Sequence, residues 1–319
     1  MDDSTNMPET TPCDISQNCA VTTASDDGHP SKEPLVSVLM AAYNSCRYLK
    51  EAISSILAQT FHNWELVVLD DASTDDTWSI LQSFAAQDAR IKPFQNTRNL
   101  GFSGARNRLF SLMNPTTEFI AVLDSDDVAL PTRLKTQVDF LMAHPELSAV
   151  GSSIVIIDEN SNVTSFRRYP TTPDAVRTAA LKANPMAHST LMMRHSIQKQ
   201  LGKYDPGLSC CEDYDYLLRM LGIAAYANLE IPQVAYRISS NQWTKRRVKH
   251  SLLVSQKVQR RFLFRRGYIS FSALLNHLAR YALLILPQRW ILRLFIKLTY
   301  VECPEQYRQM VSIHANDSH

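Results

Sequence analysis

Eight glycines in 319 residues are few for a chain that reads as a nucleotide-binding α/β protein. No G-x-G-x-x-G follows the first strand-like run, where the turn reads Ala41-Ala42-Tyr43-Asn44-Ser45, so a dinucleotide fingerprint and a P-loop are both excluded. The six cysteines, Cys13, Cys19, Cys46, Cys210, Cys211 and Cys303, form no C-x-x-C pair. That argues against a disulfide framework and predicts reduced thiols in the cytoplasm. Long apolar runs are also missing from the C-terminal third, where the uncharged stretches, Tyr281 to Gln288 among them, fall short of the roughly 20 residues of a membrane span. Residues 1–33 are polar and acidic without an apolar core, which predicts a disordered tail and no secretory signal. Finally, no acidic residue lies between Glu230 and Glu302, while that interval carries fourteen Lys or Arg. With a total of +2, the rest of the chain then sums to −12. So basic a C-terminal third calls for an anionic partner, either lipid head groups or nucleic acid.

Hydrophobic residues, at 45%, suffice for a sizeable core. Within them, the run Phe119 to Leu123 leads straight into Asp124-Ser125-Asp126-Asp127, a buried strand ending in a carboxylate-rich turn. Three carboxylates in four residues repel one another, and a cation between them relieves the repulsion. Oxygen ligands are hard, which points to magnesium or manganese rather than zinc. The plainer use of the same residues is a solvated turn capping the helix that starts near Pro131.

Strands are predicted at Leu35–Ala42, Glu65–Leu69, Ile91–Gln95 and Phe119–Leu123, with helices at Tyr48–Leu57, from the Asp75-Asp76-Thr77 turn to about Ala86, and from about Ser103 to Met113. This alternation is that of a mostly parallel sheet covered on both faces. Ligands bind beyond the carboxyl ends of such strands, and here three strands end in Tyr43-Asn44, Asp70-Asp71 and Asp124 to Asp127. Further on, Ser148–Ile157, Val163–Tyr169 and Asn184–Arg194 read as strands, the last with His188 at its middle, and Glu212-Asp213 opens a helix through about Leu221. His188 is either a core histidine or a functional one, and Asp213 either a helix-start residue or a catalytic acid.

Six stretches then resemble, in order and spacing, the family 2 inverting glycosyltransferases with the GT-A fold: VSVLMAAYN, ILAQTFHNWELVVLDDASTDDT, NLGFSGARN, the Asp-Ser-Asp-Asp turn with PTRL, NPMAHSTLMMR and EDYDYLLRM. The resemblance covers residues 35 to about 235. It implies a nucleotide-sugar donor, with Asp71 on its base, Tyr43 beside it, and Ala41 where relatives often carry Thr or Pro. It further implies donor contacts from Arg106, Asn107, Asp124, Ser125 and Asp126, a Mn2+ or Mg2+ ion on Asp126 and Asp127, Asp213 as the base, and His188 and Glu212 near the acceptor. The expected reaction is transfer of a single sugar, from a UDP-sugar, to a glycan or lipid-linked acceptor in cell-surface polysaccharide biosynthesis. A sugar nucleotidyltransferase is the competing enzyme, but its Gly-rich phosphate loop is absent.

The expected organisation is a tail (1–33), a GT-A catalytic domain (34–238) with nucleotide-sugar (34–127) and acceptor (128–238) halves, and a basic amphipathic helical extension (239–319). In the extension Lys245–Arg266 is a basic helix candidate broken at Gly267, followed by Ser270–Leu286 and Arg289–Val301. Arg289, Arg293 and Lys297 fall four apart on one side of a helix whose other side carries Trp290, Ile291, Leu294, Phe295 and Leu298. Peripheral attachment to the inner face of the cell membrane is the expectation, with an ordinary helical cap or a homodimer interface as the alternatives. Nucleic-acid binding is disfavoured, because the basic residues are mixed with aliphatic runs and carry no nucleic-acid motif.

Overall fold

In the first four strands, neighbouring residues feed two different cores. Strands β1 (Val36–Ala42), β2 (Trp64–Asp70), β3 (Ile91–Gln95) and β4 (Phe119–Val122) pair in parallel in the order β3-β2-β1-β4. Val36, Val38, Met40, Leu66 and Val68 face one side, against Leu49, Ile53 and Ile56 of α1 (Leu49–Leu57), Leu81 of α2 (Thr77–Gln87), and Leu134, Val138 and Leu141 of α4 (Arg133–Ala143). Leu39, Val67, Leu69, Ile120 and Val122 face the other, against Ala105 and Leu109 of α3 (Gly101–Leu112). The period-2 alternation of a strand thus covers the sheet on both sides, as near-continuous apolar runs require. The structure is a computed structural model that describes residues 33–239, 248–265 and 271–316. Residues Pro34–His319 form one compact unit. The expected tail lies outside the described residues up to residue 32, as do 245–247 and 266 of the basic helix candidate and its expected break at Gly267.

Beyond β4 the sheet changes direction. Strand β8 (Met192–Arg194) joins β4 antiparallel, then β6 (Leu147–Ile157), β9 (Ala225–Arg237) and the two-residue β5 (Val128–Ala129) complete a nine-stranded sheet, with β7 (Val163–Arg167) also paired to β6. The chain therefore leaves β4, makes the acidic turn, and re-enters the sheet at its far edge as β5. That path holds the turn between the two halves of the sheet.

The segment Asn184–Arg194 is not the strand its sequence suggests. Only its last three residues are extended in the sheet, and His188–Thr190 form a 3-10 turn. Local hydrogen bonds account for this, because Thr190 Oγ1 donates to Ala187 O at 2.7 Å and accepts from Ser152 N, while Ser189 Oγ accepts from Asp124 N at 2.9 Å. These side chains offer the backbone an alternative to a ladder.

Helices α5 (Pro173–Ala180), α6 (His195–Leu201) and α7 (Glu212–Leu221) pack on the second core. The C-terminal helices follow: α8 (Val248–Arg265), α9 (Phe271–Leu283), α10 (Gln288–Thr299) and α11 (Glu305–Asn316). Helix α8 is tied down through Cys211 Sγ to Ser251 O, and Arg280 of α9 donates to Lys182 O at 2.9 Å. No described helix is long and apolar enough to cross a membrane.

Candidate active site

The carboxyl ends of β1, β2 and β4 meet at one edge. Asp71 N donates to Ala42 O, and Asn44 Oδ1 accepts from Thr74 N, which ties the β1 turn to the β2 turn. Asn44 and Ala72 hold positive φ values of 50° and 62°, and Cys211, before α7, holds 60°. Non-glycine residues avoid this region, and their gathering at one edge marks backbone strain of the kind found at functional sites.

The acidic turn lies at the centre of this edge, and arginines answer much of its repulsion. Arg106 of α3 donates from Nη2 to Asp124 Oδ1 at 3.0 Å and from Nη1 to Glu212 Oε1, so one guanidinium joins the acidic turn to the start of α7. Arg237, at the end of β9, donates from its backbone N to Asp127 Oδ1 and from Nε to Asp126 O, both at 2.8 Å, and from Nη2 to Glu51 Oε2 at 2.5 Å. Arg133 is fully buried below, with Nη2 on Val122 O at 2.7 Å. Its charge is felt by Asp127 and Asp124, although burial pushes its own pKa down to about 9.

Even so, the turn is not neutralised. Burial, then the neighbouring Asp124, pushes Asp126 up to about 6. Asp127 is raised further, by burial and then by Asp126 and Asp124, and its Oδ2 is buried without a hydrogen-bond partner. A hard cation fits this donor set: two adjacent carboxylates, one with an orphaned oxygen, both held back from ionising. Among the described residues no three His, Cys, Asp or Glu gather into a ready-made metal cluster. Such a pair suits a Mg2+-type site, which takes one or two carboxylates and completes itself with phosphate oxygens and water.

Asp213 sits in the first turn of α7, 100° further round the helix than Glu212. Asn184 Nδ2 donates to its Oδ2 at 2.7 Å, and burial, then Glu212, pushes the carboxyl up to about 6 despite the opposing effect of Arg106.

Of the remaining sequence-derived candidates, Ala41 lines a small pocket with Leu39, Val122, Arg106, Asp124 and Tyr204. Ser125 is buried against Ser45 (Oγ to Oγ 2.9 Å), and Tyr43 is half exposed at the rim. Asp71 is buried, with its carboxylate accepting from Leu100 N, Gly101 N and Asn96 Nδ2, so it caps α3. Asn107 holds the backbone of Tyr204, donating from Nδ2 to its O and accepting from its N at Oδ1. His188 is buried, with Nε2 2.9 Å from Tyr204 Oη, Nδ1 unpartnered, and its pKa held well down by burial and then by Arg106. The structure thus brings Arg106, Asp124, Glu212 and Asp213 together directly and sets Asn107 and His188 behind them.

Four contributors were missed: Arg133, Asn184, Ser189 and Arg237. For Arg133 and Arg237 there was a signal, a charged residue at a core-facing position of a helix start and of a strand. For Asn184 and Ser189 there was none, since their partners lie 29 and 65 residues away.

A profile described as Glycosyl transferase family 2 matches residues 37–202. The chain is 37% identical over 224 residues to EpsE of Bacillus subtilis (strain 168), which carries a provisional glycosyltransferase name, covering 69% of this chain and 78% of that one. It is 31% identical over 217 residues to WfaP of Escherichia coli, named a UDP-Glc:alpha-D-GlcNAc-diphosphoundecaprenol beta-1,3-glucosyltransferase, covering 67% of this chain and 82% of that one. The fold is similar to that of the mannosyltransferase PcManGT from Pyrobaculum calidifontis, solved with GDP-Man and Mn2+, with a TM-score of 0.53 at 18% identity over 90% of this chain and 85% of that one.

Proposed function

The chain belongs to glycosyl transferase family 2, and from that premise we propose that it transfers one hexose, with inversion, from a UDP-sugar to a glycan or lipid-linked acceptor in cell-surface polysaccharide assembly. The observation that carries this is the Arg106 bridge, which sets the acidic turn beside a buried carboxyl with a raised pKa. The donor and acceptor classes draw support from the printed names of relatives such as WfaP.

In this reading Asp213 takes the proton of the acceptor hydroxyl as that oxygen attacks the anomeric carbon and the bond to the diphosphate breaks. Asn184 occupies Oδ2, which leaves Oδ1 for the proton and fixes the plane of the carboxyl. Glu212 and Asp124 hold Arg106 between them, and its guanidinium faces the charge that develops on the leaving group. Asp71 shapes the base pocket by fixing the Leu100–Gly101 turn, with Tyr43 and Ala41 alongside. Asp126 and Asp127 would hold Mn2+ or Mg2+, which neutralises leaving-group charge when bound. His188 and Asn107 keep Tyr204 in place behind Arg106.

A panel of nucleotide sugars, assayed for nucleotide release with Mn2+, with Mg2+ and in excess EDTA, tests this. One UDP-sugar should turn over with metal and not in EDTA. Full turnover in EDTA, or turnover of no nucleotide sugar, would contradict it.

A further inference from the structure

Helix α10 carries two parallel stripes at four-residue spacing. Arg289, Arg293 and Lys297 form one, and Trp290, Leu294 and Leu298 form the other, offset by one residue and hence by about 100° around the helix. Both stripes face outward. Trp290 is 55% exposed, Leu294 37% and Leu298 76%, and none of the three cations makes an ion pair with another described residue. Of the apolar residues expected opposite the cations, Ile291 alone turns inward. Ile291 is buried, whereas Phe295 lies under the Arg167 guanidinium at 5.5 Å and is still 43% exposed. Ile291 anchors the helix, and the apolar residues that remain outside are left uncovered by the other described residues.

Further apolar residues are exposed next to this helix in the chain. Ile285, in the turn before α10, is 85% exposed, and on α9 the residues Phe271, Leu275 and Leu278 form a second exposed stripe at helical spacing. No acidic residue lies anywhere between Glu230 and Glu302 to offset the cations. An aqueous surface seldom exposes Trp, Phe, Ile and Leu together. Apolar residues beside basic ones, on a helix too short to span, are what an interfacial helix presents to a bilayer with acidic head groups.

We infer that α10, with Ile285 and the outer stripe of α9, is a docking surface for an anionic lipid bilayer. The docking rests on this surface alone, and only its purpose rests on the transferase reading. Arg167, which covers Phe295, also lies 4.5 Å over the ring of Tyr169. Tyr169 in turn is near enough to Asp213 to feel its charge, so α10 is seated on the side of the catalytic unit that carries the proposed base. A bilayer held there offers Asp213 a lipid-linked acceptor, with the sugar-bearing end at the head-group level.

The test is sedimentation of the full chain with vesicles of phosphatidylcholine alone and of phosphatidylcholine with phosphatidylglycerol, at low and high salt. The parent should bind the anionic vesicles and be released by salt, since head-group attraction is screened. Reversing all three cations (Arg289→Glu, Arg293→Glu, Lys297→Glu) should weaken binding about a hundredfold, at several-fold per cation. Trp290→Ser with Leu298→Ser should weaken it too, and release of UDP from the donor should be unchanged in both variants, which also shows them folded. Failure of the parent to bind anionic vesicles overturns the inference, as does equal binding by the charge-reversed variant. A salt-stable dimer that Leu298→Ser dissociates, without vesicle binding, would assign the face to a second copy instead. Loss of docking with donor turnover intact would leave the transferase reading standing, whereas loss of donor turnover in the parent would remove that reading and leave this one.

Discussion

At the scale of single residues, burial sets the protonation of the site. Asp126, raised to about 6 from the ordinary 3.8, favours folding only while protonated. Its contribution is therefore full below about 3.8 and is lost as the pH rises through about 6. In metal-free protein at pH 7.5, Asp126→Asn should raise the melting temperature, and the gain should vanish near pH 4. An unchanged or lower melting temperature at pH 7.5 would mean that the carboxylate is already compensated by Arg237. Asp213 has the same direction of shift but a different consequence, because a base must be ionised. Transfer should hold above pH 7 and fall about tenfold per unit below about 6. A rate that stays flat down to pH 5 would exclude a base with this pKa. These shifts were not legible in the sequence. The crowding of Asp124, Asp126 and Asp127 was, but the sequence argument assigned the compensation to a metal, while Arg106, Arg133 and Arg237 arrive from positions 18 residues before, 6 after and 110 after the turn.

At the scale of elements, the first half was read correctly because its strands are short, apolar and bounded by turn residues, and each helix carries one apolar face. The second half was harder for physical reasons. The Asn184–Arg194 run is apolar enough for a strand, yet its Ser and Thr side chains bond locally and to β4 and β6. Strand β9 carries Pro232, which reads as a strand breaker. The chain accommodates it by shifting register between Leu229 and Val234, opposite Ser152 and Ile154 of β6. The β6–β9 pair admits no extra bulk at Gly151, where a Cβ would strike Asn228 Oδ1 and Met186. Gly151→Ala should cost about 1–3 kcal/mol in a denaturant melt, typical of overpacking. Arg237→Met removes the guanidinium donor from Glu51, Asp126 O and Asp158 O while keeping the backbone N on Asp127, and should cost about 1–3 kcal/mol, as leaving buried acceptors unpaired does. A loss under 1 kcal/mol in that melt would show that the clamp on the acidic turn is made by the backbone N of residue 237 rather than by its guanidinium.

At the scale of the whole molecule, two halves of one sheet are joined through the acidic turn, and the Asp124–Arg106–Glu212 chain carries charge contacts from the α3 side to the α7 side. Six sequence stretches were enough to bring these residues to one edge of the sheet, because Asp124 follows a strand end, Glu212 opens a helix and Arg106 lies in the second turn of another. Their hydrogen bonds were beyond reach, since those depend on pairings across 18 and 106 residues. The central claim is a division of labour, in which the turn serves the donor and Asp213 serves the acceptor. The most direct test is one variant, Asp213→Asn, measured by calorimetric titration with the UDP-sugar and metal and, in parallel, by rate of sugar transfer. Donor affinity should stay within about twofold of the parent while transfer falls by at least ~10²-fold. Transfer at close to the parental rate, or donor affinity lost in step with transfer, would contradict it.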